Sequence, residues 1–189
     1  MRIGFIITTL ILISGCSNTP KVSTPTPVTV DQITQWETVG RVGIRTEEDA
    51  LSGNFNWFHN NSKFDLSIIG PFGQGSTHLA QISPGNVELK YNDVEVNGTS
   101  ARTLLSEQFG WQFPVEQVSY WIKGLPSPNS PYEIQNGFNS DRAEEIIQDG
   151  WTVTYKEYTE VDGLELPSKL QASNPPYRVN LIITQWTIK

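Results

Sequence analysis

Two residue types that often carry chemistry are scarce in this sequence. It has one cysteine and two histidines among 189 residues. A single cysteine cannot form a disulfide within the chain, so the fold depends on its hydrophobic core. Neither His59 nor His78 has a second ligand at a metal-site spacing. We interpret both as surface residues, the first in a turn and the second in a strand.

Sequence motifs for catalysis are missing as well. Neither a Gly-x-Ser-x-Gly motif nor a glycine-rich phosphate-binding loop occurs. The acidic runs at residues 47–49 and 144–145 have the usual character of solvated faces. We therefore expect the protein not to be an enzyme and to need no cofactor or metal.

Basic residues are few. The sequence has 13 Lys and Arg against 20 Asp and Glu, which gives a formal net charge of −7. Without a basic patch to neutralise phosphates, binding to nucleic acid or to anionic lipid headgroups is disfavoured. Contact with a membrane would have to come from attached lipid and from apolar side chains.

A long apolar run is also missing. The stretch from Ile3 to Ile13 is much shorter than the ~20 residues that a membrane-spanning helix needs. It follows Met1-Arg2 and precedes Ser14-Gly15-Cys16, and this order of charge, apolar core and small residues is typical of a secretory signal. We predict that residues 1–15 are a signal peptide that is removed.

The cysteine identifies the type of signal. Ile13-Ser14-Gly15-Cys16 resembles the lipobox of bacterial lipoproteins, in which the thiol is alkylated with diacylglycerol, the signal is cut off and the new amino group is acylated. The resemblance implies that Cys16 is the lipid attachment site. In lipoproteins of enteric-type bacteria an Asp after the cysteine favours the inner membrane, so Ser17 implies the outer membrane.

We predict that residues 16–30 form a lipidated N-terminus and a flexible tether. From Ser17 to Val30 the chain is rich in Pro, Ser and Thr and has no apolar period. Residues 31–189 have the length of one domain, which can bury roughly 68–70% of its unfolded surface.

Apolar residues alternate with polar ones over the first half of this domain. Short polar segments at residues 46–49 and 59–61 separate the runs, as hairpin turns do. The pattern predicts half-buried antiparallel strands, because a succession of hairpins cannot form a parallel sheet. The inward positions are Val42, Ile44, Leu51, Phe55, Trp57, Phe64, Leu66, Ile68, Val87, Leu89, Tyr91, Val94 and Val96.

From about residue 99 to residue 124 the apolar residues recur with a helical period. Thr99 or Ser100 can cap a first helix that ends at Gly110. Pro114 suits the first turn of a second helix, which Gly124 closes. The apolar faces of the two helices are Ala101, Leu104, Leu105 and Phe109, and Val115, Val118, Trp121 and Ile122.

The stretch of residues 141–148 can be read in two ways. Its Ala and Glu content favours a helix, but Asp149-Gly150 is a type I′ turn signal before another strand, and we choose the hairpin. Two last strands follow at residues 164–172 and 177–189. The sum is a mainly β protein with inserted helices, in which a long antiparallel sheet curls around two short helices into an incomplete barrel.

Several short motifs occur in order along the domain. They are Trp36 with Gly40-Arg41, Gly53-x-Phe55-x-Trp57, Gly70-Pro71-Phe72-Gly73, Pro114-Val115 with Trp121 and Gly124-x-Pro126, Gly150-Trp151-x-Val153-x-Tyr155, Leu166-Pro167 and Trp186. These motifs and their order resemble those of the LolB family of outer-membrane lipoprotein receptors. The family usually has Leu where this chain has Phe72.

The resemblance implies a half-open barrel with a helical lid over an apolar cavity. Such a protein would be a monomer anchored in the outer membrane and facing the periplasm. It would accept lipoproteins from the periplasmic carrier LolA, hold their acyl chains and insert them into outer-membrane lipid. The loop Gly70-Pro71-Phe72-Gly73 would be the membrane-insertion loop, because Pro and Gly permit a tight, protruding turn there.

Large apolar residues on the predicted strands and helices are the candidates for the cavity wall. They are Phe55, Trp57, Phe64, Leu66, Leu105, Trp121, Ile122 and Trp151. The six tryptophans, which also include Trp36, Trp111 and Trp186, could equally be ordinary core, since large aromatic residues dominate cores. Two other classes stay open, a lipid-anchored structural or assembly partner of an outer-membrane complex without acyl binding, and a lipid hydrolase, for which no nucleophile and base are found.

We predict that Cys16 is the only covalent anchor. Cys16→Ser with an intact, cleavable signal should give a soluble periplasmic protein that still takes up cargo, because the tether places the anchor outside the fold. Fractionation of cells tests this expectation. A Cys16→Ser protein that still sediments with outer membranes would show that another element holds it there.

Overall fold

The computed structural model describes residues 29–73, 75–110, 113–138 and 140–189, and for Phe72 it describes only the backbone. The predicted signal peptide, Cys16, most of the tether and Trp111 lie outside these residues. Within the described residues no helix is both long and apolar enough to cross a membrane.

Eleven antiparallel strands form one sheet in the order β6-β5-β4-β3-β2-β1-β11-β10-β9-β8-β7. The first strand pairs with the last one, so the two edge strands, β6 and β7, come from the middle of the chain. The sheet is therefore open rather than closed. The strands are β1 Gln35–Arg45, β2 Ala50–Asn60, β3 Lys63–Ile69, β4 Ser76–Ser83, β5 Asn86–Tyr91, β6 Val94–Gly98, β7 Tyr132–Asn136, β8 Ala143–Gln148, β9 Trp151–Val161, β10 Leu164–Asn174 and β11 Tyr177–Ile188.

Two short helices connect β6 to β7. Helix α1 is Ala101–Phe109, and the Thr103 amide donates to the Ser100 hydroxyl at its start, as an N-cap requires. Gly110 ends α1 in the left-handed conformation, with φ of 75°. Helix α2 is Val115–Trp121, and Pro114 stands immediately before it. Single 3-10 turns lie at Val30–Gln32 and Pro71–Gly73.

The ambiguous stretch forms strand β8. It pairs with β9 through a two-residue turn in which Asp149 and Gly150 both have positive φ, 52° and 79°. These are the dihedral angles that a type I′ turn demands, and Asp-Gly supplies them. The predicted hairpin, the antiparallel sheet and the two inserted helices are therefore confirmed.

The interpretation of His59 as a surface residue in a turn is wrong. The hairpin between β2 and β3 turns at Asn61 and Ser62, so His59 still belongs to β2 and faces inward. Its ring stacks on Trp36, with centroids 5.0 Å apart, and burial lowers the pKa of His59. His78 does lie in a strand, β4, and its Nε2 is 2.9 Å from the Asp65 carboxylate on the outer face.

Candidate functional site

An apolar cavity of about 300 Å³ lies between one half of the sheet and the two helices. Strands β1 to β5 and β11 form its curved wall, and α1, Phe113 and the first turn of α2 cover it. The apolar side chains of the wall are Val42, Ile44, Leu51, Phe55, Trp57, Leu66, Ile68, Leu79, Leu105, Phe109, Phe113, Val115, Val118, Val179 and Leu181.

The cavity has a floor and a mouth. Trp57 on β2 is paired with Leu66 on β3, and Leu66 with Leu79 on β4. The next inward pair, His59 and Phe64, no longer lines the cavity, so Trp57 forms its floor. The exposed wall residues that belong to the sheet and its turns lie at the opposite strand ends. There Leu51, which is 57% exposed, follows the β1–β2 turn, and Asn92 stands in the β5–β6 turn. Apolar surface therefore continues from the cavity to the outside of the protein.

The loop between β3 and β4 borders this mouth. Gly70 and Gly75 both line the cavity, and the Gly70 amide donates to the Gly75 carbonyl at 3.0 Å. The Gly73 amide donates to the Gly70 carbonyl at 3.1 Å, which closes the 3-10 turn Pro71–Gly73. The backbone of the predicted membrane-insertion loop thus lies at the rim. The Phe72 side chain is outside the described part of the structure.

Helix α1 is placed by contacts with the edge of the sheet. A Cβ atom at Gly98 would lie 2.8 Å from Leu104, so the glycine lets α1 approach β6 closely. On the next strand the Tyr91 hydroxyl donates to Gln108 Oε1 at 2.8 Å, and the Tyr91 ring packs against Phe109. Leu105 is left facing the cavity.

Helix α2 is fixed to the other half of the sheet by two hydrogen bonds at its end. Trp121 Nε1 donates to Gln148 Oε1 on β8 at 2.8 Å, and the Tyr155 hydroxyl on β9 donates to the Trp121 carbonyl at 2.8 Å. Just after the helix, Lys123 Nζ donates to the carbonyl of Ile33, which precedes β1, at 2.8 Å. The interior over β8, β9 and β10 is consequently filled with side chains, and the free space remains over β1 to β5.

The cavity wall carries no formal charge among the described residues, and Tyr91 is its single titratable side chain. Titratable groups whose pKa is shifted by burial lie elsewhere in the molecule. Burial lowers the pKa of Lys123, which follows α2, and raises that of Tyr155, which lies on β9 and donates to the last residue of α2. A wall of this composition can hold an apolar chain, and it offers no acid–base pair.

Four of the eight residues that we predicted for the cavity lie in its wall, namely Phe55, Trp57, Leu66 and Leu105. The other four are placed elsewhere. Phe64 pairs with His59 one level below the floor. Trp121 and Ile122 stand at the end of α2, and Trp151 packs against Trp121 with ring centroids 6.3 Å apart. Trp121, Ile122 and Trp151 belong to the filled half, because the hydrogen bonds of Trp121 hold the end of α2 there.

Sequence reasoning missed most of the aliphatic wall. Val42, Ile44, Val115 and Val118 are inward positions of the predicted strands and helix, yet aromatic residues were preferred as candidates. On β11, Val179 and Leu181 are inward positions of the same kind. Period-two alternation on β1 and β11 marks their inward residues in the sequence. It does not show that these two strands pair with each other, which brings their inward residues into one wall.

Solved structures of several proteins share this architecture. A LolA superfamily protein from Nitrosomonas europaea superposes with a TM-score of 0.52 at 7% identity, covering 86% of this chain and 94% of that one. A putative outer membrane lipoprotein-sorting protein domain from Vibrio parahaemolyticus gives a TM-score of 0.53 at 8% identity, covering 82% and 85%. At such identities the likeness concerns the fold alone. Fold and cavity together define a LolA-like half-barrel protein.

The model of the family described as outer membrane lipoprotein LolB matches residues 34–186. The chain belongs to this LolB family of outer-membrane lipoproteins. A protein named outer-membrane lipoprotein LolB from Marinomonas sp. (strain MWYL1) is 56% identical over 179 residues, which cover 94% of this chain and 93% of that protein. One of the same name from Pseudomonas putida (strain GB-1) is 37% identical over 152 residues, covering 80% and 73%.

Leu105 lines the cavity, whereas Trp121 lies in the filled half of the interior. Glutamate substitutions at these two positions should therefore have different effects. Leu105→Glu places a carboxylate in the cavity wall and should weaken binding of a fluorescent fatty acid at least about tenfold while the protein stays folded. Trp121→Glu removes the donor to Gln148 and buries an unpaired charge, so it should unfold the protein first. Circular dichroism and thermal melting, measured beside the binding titration, separate the two effects.

The opposite pattern would contradict this division. If a folded Leu105→Glu protein binds the fatty acid as the wild type does, Leu105 does not contact the ligand. If Trp121→Glu folds normally and only binding is lost, the end of α2 belongs to the binding site.

Proposed function

We propose that the protein is a lipid-anchored receptor of the outer membrane that accepts lipoproteins from the periplasmic carrier LolA and inserts them into the membrane. The observation that carries this proposal is the uncharged cavity, which opens at the strand ends beside the loop of residues 70–75. The names of its relatives support the proposal. A structural partner of an outer-membrane complex would need the sheet but not the cavity.

The energetics of lipid transfer explain why such a cavity is needed. At ~0.8 kcal/mol per buried CH₂, exposing one ordinary acyl chain to water costs on the order of 10 kcal/mol. A lipoprotein can therefore leave a carrier only if the receiver offers comparable apolar surface. The transfer needs no nucleotide hydrolysis if affinity rises along the path, and we propose a receptor without catalytic activity or cofactor that works as a monomer.

The proposed arrangement along the chain has three parts. Residues 1–15 are removed as a signal peptide, Cys16 carries the lipid, and residues 16–30 tether the domain of residues 31–189. Because the lipid supplies the anchor, the domain is free to present the cavity to a soluble carrier and then to the bilayer. Protein partners are thus the carrier and its cargo, and the lipid partner is the outer membrane.

A transfer assay tests the function. The unlipidated Cys16→Ser protein should take a lipoprotein from a loaded carrier, which is seen as movement of the cargo from the carrier to this protein on affinity separation. The Leu105→Glu variant serves as the control with a damaged cavity. If cargo stays on the carrier in the presence of excess wild-type cavity, the receptor function is refuted and the structural alternative gains support.

Phe72 is proposed to act after uptake, when cargo leaves for the membrane. A large apolar side chain on a rim loop gains about 1.5–3 kcal/mol on burial in lipid, which would direct the mouth toward the bilayer. Phe72→Glu should therefore leave folding and uptake from the carrier intact but block release into liposomes. Phe72→Leu, with the residue that is usual in the family, should work.

Two results would speak against this role. Delivery by Phe72→Glu to liposomes at the normal rate would show that the loop has no part in insertion. Loss of the fold in Phe72→Glu would show that the side chain belongs to the core.

A further inference from the structure

A second pocket, of about 320 Å³, lies on the other side of α1 from the apolar cavity, and we propose that it binds the polypeptide of the lipoprotein next to its lipidated residue. This polar pocket is formed by one face of α1 and by the turns that follow β8 and β10. The residues that matter are Arg102, Ser106, Asp149, Trp151, Asn174 and Tyr177. The inference rests on the function proposed above and adds a site for the peptide part of the cargo.

Helix α1 separates the two spaces. Leu105 and Phe109 face the cavity, whereas Arg102 and Ser106 face the polar pocket, and each pair is four residues apart as one helix face requires. The same division runs along β11, where Tyr177 lines the pocket, and the next inward residue, Val179, lines the cavity. Pocket and cavity therefore adjoin at the same end of the sheet.

The polar groups of the pocket suit a peptide backbone. Arg102 is half-buried and makes no hydrogen bond or ion pair within the described part of the chain, so its guanidinium donors are available. Asp149 Oδ2 accepts from Gln117 Nε2 at 3.0 Å and from the Ser130 hydroxyl at 2.9 Å, which fixes the carboxylate. Asp149 Oδ1 receives no hydrogen bond from a described residue. The pocket thus offers a donor for a peptide carbonyl and an acceptor for a peptide N–H.

A phosphate group fits the pocket less well. Arg102 would attract it, but the Asp149 carboxylate in the same wall would repel a second anion. A neutral peptide unit meets no such repulsion, and the flat rings of Trp151 and Tyr177 give it apolar contact surface. The mixture of one cation, one anion, one amide and two aromatic rings favours the peptide.

The distance between the two spaces sets which residues of the cargo can reach the pocket. An α-helix with its side chains is about 10–12 Å across, and extended chain advances about 3.3 Å per residue. With the acyl chains in the cavity, the third or fourth residue after the lipidated cysteine therefore lies at the pocket. A site at this position contacts the segment that all lipoproteins possess, through backbone groups that do not depend on its sequence.

The experiment compares two probes on the unlipidated Cys16→Ser protein. One is the N-palmitoyl amide of Cys-Ser-Asn-Thr-Pro, the sequence of residues 16–20 of this chain, and the other is palmitate. Arg102→Gln should weaken binding of the lipopeptide about three- to tenfold, because a charge-assisted hydrogen bond is lost, and should leave palmitate binding unchanged. Arg178→Gln, an exposed arginine beside Tyr177 on β11, is the matched control and should change neither affinity.

The following outcomes would each overturn the proposal. Equal affinity of Arg102→Gln and wild type for the lipopeptide, or an equal loss for both probes, would show that the pocket does not contact the peptide. Competition by dihexanoyl phosphatidylglycerol against the lipopeptide in the wild type but not in Arg102→Gln would make it a phosphate site. If wild-type protein binds neither probe, the acyl-binding function itself fails and this inference falls with it.

Discussion

The hydrogen bonds of Gln148 hold the interior of the half-barrel in its arrangement. Gln148 is 1% exposed, on the inward face of β8, and both polar atoms of its side chain are bonded. Oε1 accepts from Trp121 Nε1 and from the Ser127 amide, while Nε2 donates to the carbonyls of Ser127 and Ser130. A buried polar group left unpaired costs about 1–3 kcal/mol, so a shift of α2 would leave several such groups without partners. The end of α2 is therefore confined to one half of the sheet.

The cavity is a consequence of this confinement. Two helices of nine and seven residues cannot cover an eleven-stranded curved sheet evenly. With Trp121 fixed over β8 and β9, only α1 and the first turn of α2 remain to face β1 to β5. Helix α1 is kept near the sheet edge by Leu104 on Gly98 and by Tyr91, so the space between Trp57 and Leu105 is not filled. The polar pocket arises for the same reason on the opposite side of α1.

The sequence predicts the elements of this fold well, but the division of its interior poorly. Alternation and turn signals identify the hairpins, and Ser100 and Gly110 locate α1, because these signals are local. Lys123 and Gln148 would both be read as solvated, and their burial depends on partners 90 and 21 residues away along the chain. The burial of His59 escapes prediction for a similar reason, since its stacking partner Trp36 lies on the neighbouring strand. Which of the inward side chains line the cavity is decided by such distant contacts.

The place where the proposed tether would join the domain sets a geometric condition on the proposed function. Strand β1 starts beside the turn Val30–Gln32 and ends at the mouth, so the chain enters the domain at the end away from the cavity opening. Eleven residues of strand span about 37 Å. Fully extended, residues 17–30 reach about 46–50 Å. A tether of this length would be long enough for the domain to turn its mouth toward the membrane that holds the lipid, with about three residues to spare. The Pro-rich composition, which favours extended chain, serves the same requirement.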